Sequence, residues 1–325
     1  MQKRPRENSF STGMGKLFKI GVALGGGGAR GLAHLGVLCA LEREKIPIDL
    51  MAGTSMGAIV GGVYALNPRC DMVIERFRRY LESEEFQKTN PEFLHEHDYE
   101  LRPTLEGIFH RFATFIKRGY FYSQSLTKKA PVSEEDFSQN INLLLEPVVI
   151  EKTLIPLSVA ALDLKTGKEV VLREGSLRKA VSASSAIPGI LPPITIGDWD
   201  LVDGGMIDRV PVRPVREMGA DLVIAVDVAE DLNDNDKKFD TGFDIVLRTY
   251  DICQRALSDL QIKEADVVLH PDVSGIHWSD FGHLDECLQA GEKVVKEKLD
   301  EIRSRIRRKK LKKILCLPLG CLSSP

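Results

Sequence analysis

A serine between two glycines, Gly53-Thr54-Ser55-Met56-Gly57, most constrains what this chain can fold into. The mostly apolar residues 48–52 before it are typical of a strand, and residues 58–66 after it are typical of a helix. A strand that enters a tight turn and then a helix presents one side chain at the apex, where a serine hydroxyl can serve as a nucleophile. The same pentapeptide is also typical of a serine that caps a helix, so the motif alone leaves both interpretations open.

A second glycine-rich turn lies upstream and has the same context. Residues 17–24 form a short apolar run, four glycines follow at 25–28, and leucines then recur at helical spacing from Leu32 to Leu41. Two successive strand–turn–helix units predict an α/β fold whose mostly parallel sheet is covered by helices on both faces.

The rest of the chain continues this pattern. We expect further strands at 157–164, 169–173, 200–202, 222–228 and 267–270, and helices at 70–82, 104–118, 133–145, 177–184, 243–264 and 284–308. The organisation we predict is a disordered leader over 1–16, one domain over 17–300 with a helical insertion at about 71–146, and a basic tail over 301–325.

Composition excludes several classes of protein. The formal net charge of −3 argues against a nucleic-acid binder, which normally carries a basic excess. The six cysteines are scattered and include no Cys-x-x-Cys pair, so we expect neither a disulfide framework nor a zinc site, and a reducing cytoplasm as the location. No apolar run is long enough to span a bilayer.

The tail has a pattern of its own. Between residues 303 and 313, cations alternate with apolar residues: Arg303, Arg305, Arg307, Arg308, Lys309, Lys310, Lys312 and Lys313 with Ile306 and Leu311. Such a segment predicts peripheral contact with the anionic inner face of a membrane. A solvated helix end is the alternative interpretation.

The upstream turn has two interpretations. Residues 26–31 match Gly-x-Gly-x-x-Gly, and Asp49 lies about twenty residues on, as in a dinucleotide-binding fingerprint. However, Asp49 precedes the Ser55 turn instead of ending a clear second strand. The alternative is an oxyanion hole, in which backbone N–H groups of Gly26, Gly27 and Gly28 face the negative oxygen of a tetrahedral intermediate.

A serine nucleophile needs a base, and two candidates fit. One is a Ser-His-Asp arrangement that joins Ser55 to Asp227 and to His270, His277 or His283. The other is Asp203, which is followed by two glycines at a strand-to-loop junction and would act as base if burial raised its pKa.

Taken together, the blocks 25–31, 53–57 and 203–205 resemble the three signature blocks of the patatin-like phospholipase family. The resemblance is strongest to the bacterial branch that is similar to the catalytic domain of neuropathy target esterase. Residues 182–189, Ser-Ala-Ser-Ser-Ala-Ile-Pro-Gly, resemble a further family block that lines the site. The Asp-Gly-Gly of this chain stands where the family often has Asp-Gly-Ala.

This resemblance implies a three-layer α/β/α sandwich that hydrolyses acyl esters of phospholipids, lysophospholipids or other lipids, with no metal or cofactor. It implies Ser55 as nucleophile, Asp203 as base of a Ser-Asp dyad and an oxyanion hole at Gly26–Gly28. Arg30 and Met56, which flank these groups, are candidate substrate contacts. A Ser-His-Asp carboxylesterase and a non-catalytic nucleotide-binding module remain the alternatives.

Overall fold

The computed structural model describes residues 17–89, 133–229 and 242–315. The predicted leader at 1–16 and the predicted helix at 104–118 lie outside these ranges, as do the middle of the predicted insertion and the last ten residues. Within the described part of the chain, no helix combines the length and apolar character needed to cross a bilayer.

A single sheet forms the centre of the described structure. Its strands are β1 (Ile20–Leu24), β2 (Leu50–Thr54), β3 (Leu157–Asp163), β4 (Lys168–Leu172), β5 (Ile194–Ile196), β6 (Trp199–Asp203), β7 (Leu222–Val226) and β8 (Val267–Leu269). The order is β5-β6-β3-β2-β1-β7-β8, with β4 paired to β3. Strands β3, β2, β1, β7 and β8 run parallel, whereas β4, β5 and β6 are antiparallel to their neighbours.

Strand β3 brings two other strands end to end. Its residues 157–160 pair with β2, its residues 161–163 pair with β6, and β4 takes the other edge over residues 159–163. Strands β2 and β6 therefore share one edge of β3 and approach each other from opposite directions. Their last residues, Thr54 and Asp203, pair with the adjacent residues Ala160 and Ala161.

Nine helices are described. They are α1 (Ala33–Arg43), α2 (Met56–Leu66), α3 (Cys70–Leu81), α4 (Glu84–Thr89), α5 (Glu134–Leu144), α6 (Leu177–Ser184), α7 (Val212–Glu217), α8 (Gly242–Gln261) and α9 (Leu284–Leu315). The sequence pattern did not predict the short elements β5 and α7. Helix α7 has only six residues and contains Pro214. A segment this short does not show enough of the helical apolar spacing to be distinguished from a loop.

The helices cover both faces of the sheet, which confirms the predicted α/β/α layers. Alternate side chains of β1 point to opposite faces: Val22 and Leu24 join the larger core with α1, α2 and α9, whereas Ala23 joins the smaller core with α7. A fully buried Val or Leu of this kind contributes about 1.5–3 kcal/mol to folding. These two cores fix β1 and β2, whose carboxyl ends carry the glycine-rich turns.

The expectation that the cysteines stay unpaired is wrong for two of them. Cys39 on α1 and Cys70 at the start of α3 form a disulfide, although 31 positions separate them in sequence. The pairing was hidden because it depends on α3 packing beside α1 after the chain has passed through β2 and α2. The argument from cysteines for a reducing cytoplasm therefore does not hold.

The last helix crosses the predicted boundary at residue 300 without a break. Helix α9 runs to Leu315, and Ile302 and Ile306 of the predicted tail are buried against the domain. Lys309 and Lys313 bind Asp266 and Asp221, each at 2.5 Å, near the beginnings of β8 and β7. This end of α9 thus lies at the amino edge of the parallel sheet.

Candidate active site

The turn at Ser55 is strained at the serine itself. Ser55 has φ 54° and ψ −124°, a conformation that a non-glycine residue rarely adopts. The flanking glycines are required by close packing: a Cβ on Gly57 would lie 2.2 Å from the carbonyl oxygen of Leu24, and one on Gly53 2.5 Å from that of Gly57. The glycines therefore allow the chain to fold closely on β1 while Ser55 carries the strain.

The Ser55 hydroxyl donates a hydrogen bond to Asp203. Ser55 Oγ lies 2.7 Å from Asp203 Oδ2, and both residues are buried. The other carboxylate oxygen, Oδ1, accepts the backbone N–H of Gly205 at 2.7 Å. The end-to-end arrangement of β2 and β6 brings these residues together across 148 positions of sequence.

Burial changes the acidity of this carboxyl group. Loss of hydration raises the pKa of Asp203 to about 6, although the bonds from Ser55 and Gly205 and the positive charge of Arg209 each lower it. A carboxylate with a pKa near 6 is still ionised at neutral pH, yet it is a stronger base than an ordinary aspartate. The pair therefore has the geometry and the acidity for transfer of the hydroxyl proton.

The glycine loop, residues 25–31, passes beside Ser55. Its backbone N–H groups fall into two sets. The N–H groups of Gly25, Gly26 and Ala29 donate to the carbonyls of Val226, Arg209 and Trp278, at 3.0, 2.9 and 2.7 Å. Those of Gly27 and Gly28 have no acceptor among the residues that the structure describes.

The N–H of Gly26 is already bound to a carbonyl. Of the three predicted oxyanion donors, only the N–H groups of Gly27 and Gly28 are therefore available within the described structure. Gly26 has another role, because a Cβ there would lie 3.3 Å from the Cβ of Ser55. A side chain at position 26 would thus press on the nucleophile.

A buried histidine, His34, supports this loop. His34 Nε2 lies 2.7 Å from the carbonyl oxygen of Gly25. Burial lowers the pKa of His34 to about 4, so the ring is neutral at pH 7 and its Nε2–H donates to that carbonyl. No sequence signal separates such a histidine from any other helical histidine.

The two candidate substrate contacts are both buried. Arg30 is 4% exposed, and its Nε lies 3.5 Å from the carbonyl oxygen of Gly27. The side chain of Met56 packs over Gly31, where a Cβ would lie 2.5 Å from Met56 Cγ. Both side chains therefore contact the glycine loop.

The residues of the alternative interpretations lie elsewhere. His270 Nδ1 lies 3.4 Å from Asp227 Oδ2, so this predicted pair forms, but the partner of the Ser55 hydroxyl is Asp203. The Asp49 carboxylate accepts the N–H of Ile20 at 2.8 Å, at the beginning of β1. A ribose ligand belongs at the carboxyl ends of the strands, so Asp49 is at the wrong edge for a dinucleotide site.

Contacts with three further residues, Asp208, Arg209 and Ser184, hold the two turns in place. The Thr54 hydroxyl donates to the carbonyl of Asp208 at 2.8 Å, next to the Arg209 carbonyl that binds Gly26. The Ser55 N–H donates to Ser184 Oγ at 2.9 Å. The family block at 182–189 was a signal for Ser184, whereas residues 208 and 209 act through their backbone and leave none. Among the described residues, no cluster of His, Cys, Asp or Glu is placed to hold a metal ion.

Comparison with known proteins finds related sequences. An uncharacterized NTE family protein of Mycobacterium tuberculosis is 34% identical over 208 residues, which are 64% of this chain and 48% of that protein. Lysophospholipase NTE1 of Debaryomyces hansenii is 31% identical over 214 residues, 64% of this chain and 12% of that protein. The chain thus spans about half, or much less, of the length of these relatives.

Among solved structures, VipD from Legionella pneumophila matches with a TM-score of 0.42 and 15% identity, over 88% of this chain and 67% of that one. The family model for patatin-like phospholipase matches residues 22–216, a segment that holds both glycine-rich turns, Ser55 and Asp203. That segment is more than half of the sequence, and the chain belongs to the patatin-like phospholipase family.

Proposed function

We propose that this protein is a serine acyl hydrolase that cleaves fatty-acyl esters of phospholipids or lysophospholipids through an acyl-Ser55 intermediate. The observation that carries the proposal is the 2.7 Å hydrogen bond from Ser55 Oγ to Asp203 Oδ2. Family membership supports lipid acyl hydrolysis in general, and this bond supports the particular choice of nucleophile and base.

In the first step, Asp203 takes the hydroxyl proton while Ser55 Oγ attacks the ester carbonyl carbon. The carbonyl oxygen becomes negative and receives hydrogen bonds from the N–H groups of Gly27 and Gly28. The tetrahedral intermediate then breaks its bond to the alcohol, which leaves with the proton from Asp203. Each oxyanion donor of this type is worth about a hundred- to a thousandfold in rate.

In the second step, water attacks the acyl-Ser55 ester and Asp203 takes a proton from it. Collapse of this second intermediate releases the fatty acid and returns the proton to Ser55 Oγ. The N–H of Gly205 holds Asp203 Oδ1, so Oδ2 faces the serine in both steps.

Lipid substrates are part of this proposal because of the relatives. A protein named as a lysophospholipase is 31% identical over 64% of this chain, and lysophospholipids are therefore the first substrates to assay. The Ser-His-Asp and nucleotide-binding alternatives receive less support, since the serine hydroxyl binds Asp203 and Asp49 lies at the far edge of the sheet.

The test is a lipid panel with identification of the released fatty acids, run beside labelling by a fluorophosphonate probe. We expect Ser55→Ala to lose both activities and His270→Gln to keep both. Undiminished turnover by Ser55→Ala would refute the proposed nucleophile. Loss of activity in His270→Gln would instead favour the Ser-His-Asp alternative, and thermal stabilisation by NAD or ATP would favour nucleotide binding.

We also propose peripheral membrane contact through the basic end of α9. Arg307, Arg308 and Lys312 are exposed there, beside the exposed apolar side chains of Leu311 and Leu315. Each cation close to an anionic bilayer contributes about 1 kcal/mol. Lys309 and Lys313, which bind carboxylates of the domain, hold the helix in place instead.

Two variants with equal charge changes test this contact. We expect Arg307→Glu/Arg308→Glu to reduce co-sedimentation with phosphatidylserine vesicles by at least about tenfold. Lys293→Glu/Lys296→Glu changes two exposed cations nearer the other end of the same helix and should sediment like the wild type. Equal sedimentation of the two variants would contradict a contact specific to this end.

A further inference from the structure

The backbone N–H of Ser55 lies at the point where the ladder of backbone hydrogen bonds between β2 and β3 is interrupted. In that parallel ladder the N–H of Met51 donates to the carbonyl of Pro156 at 2.9 Å. Every second residue of a parallel strand donates to the same neighbour, so the next two acceptors are the carbonyls of residues 158 and 160. The donor facing the carbonyl of Ala160 is therefore the N–H of Ser55.

A side-chain hydroxyl occupies this position of the ladder. Ser184 Oγ accepts the N–H of Ser55 at 2.9 Å and donates its own proton to the carbonyl of Ala160 at 2.6 Å. Ser184 is completely buried. The hydroxyl thus bridges two backbone groups that the turn at Ser55 has pulled apart.

The same segment also holds the proposed base. Two residues after Ser184, the carbonyl of Ala186 accepts the N–H of Asp203 at 3.0 Å. Residues 184–186 therefore bind the backbone of Ser55 through a side chain and that of Asp203 through the main chain. The relative position of the two proposed dyad residues depends on this short segment, which begins at the last residue of α6.

We propose that Ser184 is a positioning residue for the reaction: its hydroxyl replaces one hydrogen bond of the β2–β3 ladder and so holds the strained Ser55 turn with its hydroxyl facing Asp203. This inference rests on the proposed Ser-Asp chemistry. Ser184 touches neither the reacting atoms nor Asp203 Oδ2, and it acts only through the backbone of the nucleophile.

A matched pair of variants isolates the hydroxyl. Ser184→Thr keeps the hydroxyl and Ser184→Val has the same shape without it, so the added methyl group is common to both. Ser184→Ala removes the hydroxyl without adding volume. Ser158→Ala is the control for loss of a buried hydroxyl, because Ser158 is also fully buried and its Oγ has no partner within the described structure.

The measurement is hydrolysis of a soluble short-chain nitrophenyl ester, with kcat and KM determined separately on protein shown to be folded by circular dichroism. We expect kcat to fall by about a hundredfold in Ser184→Val and Ser184→Ala, as for other small misplacements of a nucleophile, with KM changed less than about threefold. Ser184→Thr should retain at least about tenfold more activity than Ser184→Val, and Ser158→Ala should match the wild type.

The pH profile is a readout that a purely structural role would not move. The hydrogen bond from Ser55 lowers the pKa of Asp203, so a misplaced serine should shift the acidic limb of the profile to higher pH. Wild-type kcat and an unmoved profile in Ser184→Ala and Ser184→Val would overturn the proposal. Equal losses in Ser184→Thr and Ser184→Val would also overturn it, since the methyl group would then be responsible.

A measurement on the wild type needs no variant to fold. The Ser55 amide should show slow hydrogen exchange although it lies beyond the end of β2, and fast exchange would overturn the proposal. Ser55→Ala separates this inference from the function it rests on. If Ser55→Ala stays active the nucleophile is wrong, whereas an inactive Ser55→Ala beside a fully active Ser184→Val refutes the positioning role alone.

Discussion

The two edges of the parallel sheet use charged groups in opposite ways. At the carboxyl edge, Asp203 is buried beside Ser55 and held by hydrogen bonds from separate parts of the chain. At the amino edge, Asp221 and Asp266 bind Lys313 and Lys309 at the surface of the last helix. Burial raises the pKa of Asp203, whereas the neighbouring cations hold the pKa of Asp266 below its usual range.

This difference shows what each edge contributes. Removal of a carboxylate from water costs stability and makes it a better base, so the carboxyl edge gains reactivity at the expense of folding. The pairs at the amino edge are only partly buried, so solvent screens them more and each changes stability less. Substitutions at the carboxyl edge should therefore change both rate and stability, whereas those at the amino edge should have only small effects on stability.

The largest effect is expected from removal of the buried base. Asp203→Asn should lower kcat by about a thousandfold, because a positioned general base typically contributes about a hundred- to ten-thousandfold. Asp200→Asn is the control: it lies on the same strand, and its carboxylate binds Lys165 instead. Ester hydrolysis by both variants checks this, and an Asp203→Asn enzyme within tenfold of the wild type would remove the distinction between the edges.

The same carboxylate should set the acidic limit of activity. Because the pKa of Asp203 is raised to about 6, the base is protonated below that pH and kcat/KM of the wild type should fall tenfold for each further pH unit. A profile that stays flat down to pH 4.5 would show that this aspartate titrates like one in water.

Two glycines, one in a crowded turn and one in an open turn, test the close packing of the carboxyl edge. Gly28 and Gly167 both have positive φ, 57° and 67°, but a Cβ on Gly28 would lie 2.3 Å from the carbonyl oxygen of Trp278 and one on Gly167 meets nothing. Gly28→Ala should lower kcat by about a hundredfold or more through the oxyanion loop. Gly167→Ala should cost about 1 kcal/mol of stability and leave the rate unchanged, and equal rates would refute the role of the loop.

A second buried carboxyl group tests the cost in stability. Burial raises the pKa of Asp208 to about 7, above its value in the unfolded chain, so the folded state holds the proton more tightly and the wild type loses stability as pH rises from about 4 to 7. Asp208→Asn should therefore be more stable than the wild type at pH 8 by up to about 4 kcal/mol, with no gain at pH 4. Urea unfolding at both pH values measures this, and a pH-independent difference would contradict it.

The smallest effect is expected at the amino edge. Lys313→Met should change the free energy of unfolding by less than about 1 kcal/mol, and less still in high salt, because its pair with Asp221 remains partly exposed to solvent. A loss above 2 kcal/mol would mean that this edge, too, depends on its charges.

The sequence was sufficient for the fold class, since strands, glycine turns and helices are local patterns. Ser55 directly follows β2 and Asp203 ends β6, and these contexts are the basis for proposing them as nucleophile and base. Their 2.7 Å contact depends on β2 and β6 ending against each other on β3, a pairing that no local pattern specifies.

Contacts between residues far apart in sequence account for the points at which the structure differs from the predictions. The Gly26 N–H is unavailable because Arg209, 183 positions away, places its carbonyl there. The Cys39–Cys70 bond and the continuous helix α9 likewise depend on which helices pack together. A hydroxyl such as that of Ser184 acquires its role only from the two strands that it joins.

Helix α9 has a consequence for where lipid can reach the protein. It begins beside the glycine loop, where Cys287 contacts Ala29, and its 32 residues extend about 48 Å to the basic end. In a molecule anchored by that end, Ser55 would lie at the opposite edge of the sheet and face away from the surface. With such an anchor, the hydrolase proposed above would meet lipids that have left the bilayer, among which single-chain lysophospholipids are the most soluble.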